Sequence, residues 1–118
     1  MSLETAVLTL VETQFLPAAA VLLYTVETGV MNAQVRLTSI ALANQDAADR
    51  PVTMYKVPKG GTPLTSNIIV PAAKVPANTL MVINCMSGIV LLSEGQKLYG
   101  MCDVANKVTV TVSGEKFS

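Results

Sequence analysis

The stretch "YKVPKGGTPL", Tyr55 to Leu64, holds the residue types that come nearest to phosphate chemistry in this chain. Two adjacent glycines and a lysine are ingredients of a phosphate-cradling loop. Such a loop needs its lysine directly after the last glycine, then a helix whose N-terminus meets the anion. Here Lys59 precedes Gly60 and Gly61, and Pro63 and the β-type run "SNIIV" follow. The order excludes a nucleotide site and predicts a connection between two strands. Pro58 ends the first strand because it has no N–H to donate to a ladder. Gly60 and Gly61 are expected to supply the positive φ of a tight turn.

The other reactive side chains are few. Asp46 and Asp49 stand in the polar loop "NQDAADRP" with Arg50. Their spacing matches no calcium loop, and the residue types suit a loop that caps its own backbone. Two cysteines, Cys85 and Cys102, lack a zinc spacing and read as buried reduced thiols, with one disulfide as the alternative. The chain has no histidine. That removes Ser-His-Asp and Cys-His catalysis within one chain and leaves only lysine- or carboxylate-based schemes. We therefore expect no catalytic set, no metal and no cofactor.

These residues must be positioned by something, and the rest of the sequence describes β structure. Turn signals recur at Thr28–Ala33, Asn44–Pro51, Pro58–Pro63, Pro71–Asn78, Ser87–Gly88, Ser93–Gln96, Val104–Lys107 and Ser113–Gly114. Short runs rich in Val, Ile, Leu, Thr and Tyr lie between them. That spacing predicts an all-β sandwich or barrel, and residues 16–118 are expected to form an antiparallel β-sandwich, jelly-roll-like. In "NKVTVTVSGE", Val108, Val110 and Val112 alternate with hydroxyl residues, so the valines face inward. "QVRLTSIALAN" is partly apolar on both faces and predicts a strand that is central or faces a partner on its second side. "TLMVINCMSGIVLL" is apolar on both faces and predicts a strand covered on both sides, with a buried helix segment as the competing reading. Residues 1–15 mix helical and strand features and are expected to form an N-terminal arm.

Charge and composition restrict the partners. Eight basic and eight acidic residues cancel among 118, so no net field favours nucleic acid or an anionic membrane. The apolar run Leu16–Tyr24 is too short to span a bilayer and is broken by Pro17. The start lacks the basic segment of a secretion signal. Only 14% of residues are charged while 51% are hydrophobic. Such a composition has two readings, an apolar surface hidden against a partner or a mildly apolar surface made of Ala, Val and Thr. Of the six methionines, Met31 and Met54 are the candidates for a subunit contact, the others being expected to fill the core.

The pieces Leu23–Thr25, Thr38–Asn44, Val52–Pro63, Val75–Met81, Leu92–Leu98 and Val108–Gly114 run in an order that resembles small virion proteins of tailed bacteriophages. The resemblance implies a β-sandwich that decorates capsids or forms part of a tail. It implies a homo-oligomer, dimer or trimer, bound to the major capsid protein on the virion surface. Candidate subunit or capsid contacts are then Met31, Met54, Lys59, Gly60 and Gly61. Its alternatives are a tail or fibre adaptor of the same fold and a host-surface binding module. Three tyrosines and two phenylalanines give the last of these few sugar-stacking platforms.

Overall fold

A computed structural model describes residues 6–85 and 90–117. The Ser87–Gly88 turn signal and the first five residues lie outside that description. The described strands are β1 (Ala6–Phe15), β2 (Val21–Thr25), β3 (Gln34–Asn44), β4 (Arg50–Val57), β5 (Ile68–Val75), β6 (Leu80–Asn84), β7 (Val90–Ser93), β8 (Lys97–Cys102) and β9 (Val108–Phe117). A single 3-10 turn, Thr65–Asn67, is the only helical element among the described residues.

The strands form two antiparallel sheets. The first has the order β1-β9-β3-β6, with β7 continuing the β6 edge along β3; the second has the order β2-β8-β4-β5. Counting β6 and β7 as one edge, the pairs are first with last, second with second-last, and so inward to β4 with β5. This is one long antiparallel hairpin rolled into two layers. The expected antiparallel β-sandwich is thus observed, with the pairing order of a jelly roll.

The residues dictate the core. Val108, Val110 and Val112 are fully buried from β9, as their alternation requires. Leu98 and Cys102 answer them from β8, and Val52 and Met54 from β4. Each fully buried aliphatic side chain contributes about 1.5–3 kcal/mol relative to exposure.

Two expectations are corrected. Ala6–Phe15 is not a separate arm, so the boundary at residue 15 does not hold. The segment pairs with β9 from Ala6↔Lys116 to Phe15↔Thr109 and buries Val11. Two register shifts in this pairing scramble the alternation, which is why the sequence showed strand and helix features together.

β3 is central in its sheet, as one of the two readings expected, but its two apolar faces have a local cause. A register shift lies between Leu37↔Gly114 and Ser39↔Ser113. Val35 and Leu37 point inward before it, Ile40 and Leu42 after it. The bulge changes the phase, so one face serves the core throughout.

β6 also departs from expectation. Met81 and Ile83 are half-buried, but Leu80 is 62% and Val82 57% exposed, so its second face is uncovered in the single chain.

Candidate functional site

The connections gather at two ends of the roll. At one end lie residues 16–20, 45–49, 76–79 and 103–107, which join strands of different sheets. Backbone bonds tie them together: Cys102 N–H to Pro17 O at 2.9 Å, Gln45 N–H to Lys107 O at 2.9 Å, and Asn78 N–H to Asp46 O at 3.0 Å. Asp46, Asp49 and Arg50 belong to this clamp. Arg50 Nε donates to Asp46 Oδ2 at 2.8 Å, and its Nη1 donates to Asp103 Oδ2 at 3.1 Å. Asp49 accepts the Ala77 N–H at 3.0 Å. Asp46 caps its own loop, as expected, by accepting the Ala47 N–H at 2.8 Å, whereas Asp49 reaches across to the 76–79 connection. No group of His, Cys, Asp and Glu suited to a metal occurs among the described residues.

The Arg50 hydrogen bond holds the Asp46 carboxyl below its ordinary value of 3.8. A lowered folded value means that folding is favoured in full above about 3.8 and loses this contribution as pH falls through the folded value. Asp46→Asn should flatten the acid limb of stability below that point. Urea melts of both proteins across the acid range would show it, and parallel acid limbs would refute it.

Asn44 was not singled out by the sequence, yet it is the buried polar residue of the core, 3% exposed. Its Nδ2 donates to Ala48 O at 2.9 Å and to Val75 O at 3.0 Å, and its Oδ1 accepts the Asp46 N–H at 2.9 Å. One side chain thus joins the end of β3, the following loop and the end of β5. The available signal was an asparagine that closes an apolar strand and opens a polar loop.

The opposite end carries most of the predicted contact residues. Thr25 and Val57 both pair with Lys97, so the β2–β3, β4–β5 and β7–β8 connections emerge side by side. Gly61 N–H donates to Pro58 O at 2.9 Å, closing the predicted turn. Gly60 has φ of 77°, but Gly61 is not in the left-handed region, so only one glycine is needed for chirality. Lys59 does not stand free at the tip. Its Nζ meets Glu94 Oε1 at 2.9 Å, and its stem lies over Gly95.

Met31, in the β2–β3 loop, is 85% exposed. Met54 is placed otherwise. It is fully buried, opposite Gly100 and Val70, and is removed from the candidate contacts. Its phase within β4, two residues after the inward Val52, makes it core.

Beside Met31 a cleft of about 160 Å³ is lined by Tyr24, Val26, Glu27, Val30, Ala33, Gln34, Val35 and Lys116. Lys116 Nζ meets Glu27 Oε1 at 3.1 Å at this cleft. Small-molecule sites usually enclose roughly 300–1,000 Å³. The arrangement is better suited to seating one side chain of a partner than to enclosing a substrate. Cys85 and Cys102 are both buried and not bonded to each other. Burial raises both thiols above their ordinary value, which lowers their reactivity.

Comparison with known proteins adds the fold alone. A chain of the structure of infectious bursal disease virus, Gx strain, superposes with a TM-score of 0.52 at 9% identity. The match covers 98% of this chain and 31% of that one, so the chain spans about a third of the length of its neighbour. No family model matches the sequence, and no curated protein does. No helix among the described residues is long and apolar enough to cross a membrane.

Proposed function

We propose that this chain is a structural virion protein, a capsid decoration (cement) protein that binds and stabilises a phage head. The observation that carries the reading is the jelly-roll pairing over nearly the whole chain, matched in a chain of a virus structure. Jelly rolls also occur in lectins and cupins, so fold alone does not fix function. The end bearing Met31 supports a binding role, with an exposed apolar side chain in the same connection as Val30 and Ala33, which line the cleft. The resemblance to small tailed-phage virion proteins supplies the location. Binding only to the assembled shell would stabilise it by mass action.

The test is to mix purified protein with expanded, undecorated heads and follow co-sedimentation and heat release of DNA. Binding with a raised release temperature is expected. No binding to any head form refutes the reading, and cryo-microscopy density on the tail replaces it with an adaptor of the same fold. Met31→Asp should weaken head binding by about tenfold or more, as loss of an interface anchor does. Its thermal midpoint should stay near that of the parent, because the side chain touches little of its own fold.

A further inference from the structure

We propose that β6 is a homodimerisation edge, pairing antiparallel with β6 of a second copy to continue the first sheet across a two-fold axis. This holds or fails independently of the head-decoration reading. The bonds Asn44 N–H to Thr79 O and Cys85 N–H to Thr38 O, each 2.9 Å, set the phase of the β3·β6 ladder. In that phase Met81 and Ile83 face β3 with their backbone groups. Leu80 and Val82 turn their N–H and C=O away from β3, toward the sheet edge. Among the described residues no strand lies beyond β6. Such a row of outward-facing donors and acceptors is a ready-made template for a further strand.

The four sheet edges are not equally protected. β1 has two register shifts against β9 and an exposed Glu12. β2 is shifted between Leu22 and Tyr24. β5 carries Pro71, Lys74, two register shifts and a positive φ at Ala72. These are the ordinary devices that prevent strand addition. β6, "LMVIN", has five successive partners on β3 without a shift, and neither charge nor proline. β7, the other piece of this edge, is only four residues long and runs directly into Glu94.

A second copy of this chain fits this edge better than a foreign strand of arbitrary charge. An isologous contact sets each patch against itself, so any charge in it meets its like. The rows running inward from β6 are neutral: Leu80, Ala43 and Thr109, then Val82, Ala41 and Thr111. With the two-fold axis at Met81, Leu80 of each copy lies opposite Val82 of the other. Each such pair exchanges two backbone hydrogen bonds. The four side chains then form one apolar patch on the outer face, replacing two exposed pairs. A single strand pair is small beside a standard interface, so the free dimer is expected to be weak and to strengthen where copies are held together.

Sedimentation velocity over a concentration series, with hydrogen exchange read at single amides, tests this. The expected result is a concentration-dependent dimer in which the Leu80 and Val82 amides slow only as it forms. Val82→Lys and Val82→Pro should be folded monomers, because the side chain is exposed and its N–H is not used in the β3 ladder. Leu22→Lys on the β2 edge should still dimerise. If the proline variant does not fold, the lysine variant decides. The proposal is overturned by a dimer that persists in folded Val82→Lys or is lost in Leu22→Lys. It is also overturned by a wild-type chain that stays monomeric at every concentration, including one whose Leu80 and Val82 amides slow only on a capsid.

Discussion

Asn44→Ala should lower the stability of the free protein by about 3 kcal/mol, although it removes only a carboxamide from the core. The expected loss follows from what the amide serves. Two carbonyls, of Ala48 and Val75, and the Asp46 N–H would be left without it. The Val75 bond is buried, so water cannot replace it there without opening the end of β5. A buried group stripped of its partner costs roughly 1–3 kcal/mol. Asn44→Leu should be no better, despite its greater hydrophobicity, because the backbone groups remain unpaired. Asn44→Asp keeps the acceptor for Asp46 but sets an anion against two carbonyl oxygens, and should be at least as damaging. Denaturant melts of the three variants decide it. If Asn44→Leu matches or exceeds the parent, the hub is dispensable and packing governs this end of the roll.

Gly114→Ala should destabilise by about 1–3 kcal/mol, and Gly114→Val by more, the usual range for overpacking a close contact. A Cβ at Gly114 would lie 2.6 Å from the Arg36 carbonyl oxygen and 2.6 Å from Leu10 Cδ1. Leu10 has rotamers to give, but the Arg36 carbonyl is fixed in the ladder between β3 and β9. The contact sits beside the β3 bulge, at the Leu37↔Gly114 pair. Thermal midpoints should drop by roughly 5–15 °C for the alanine variant. Ser113→Ala, one residue away and only half-buried, should change little. A parent-like midpoint for Gly114→Ala would mean that the strands can separate at the bulge without cost.

Much of this fold was legible because period two is a strong local signal. Val108, Val110 and Val112 needed only their own neighbours to declare a half-buried strand, and the turn residues marked nearly every connection. What escaped was phase. In β3 the apolar side changes at Thr38 and Ser39 because β3 carries one extra residue against β9, which shows only once the two strands are paired. The same reason hid β1, whose two shifts against β9 erase the alternation that would have named it a strand. Met54 was assigned to the surface for want of a phase for β4, which only its pairing with β8 supplies.

The candidate contact end was legible in part. The loop chemistry of Lys59–Gly60–Gly61 identified a turn, and the exposed Met31 lies in another connection at the same end. That Lys59 is held by Glu94 required knowing that β4–β5 and β7–β8 connections are neighbours, and residues 59 and 94 lie far apart in the chain. Leu80 and Val82 were visible as apolar residues, but their exposure depended on β6 being an edge.

The position of β9 between β1 and β3 sets the order in which the chain can mature. β1 leaves the ribosome well before its partner β9, with every other described strand between them. Until then β1 has no sheet partner, and β3 can pair only on its β6 and β7 side. Non-local closure of this kind slows folding and leaves the waiting strands open to mispairing. The second sheet can build β4 against β5 from local sequence alone, so nucleation there, with the first sheet closing last, is the expected route.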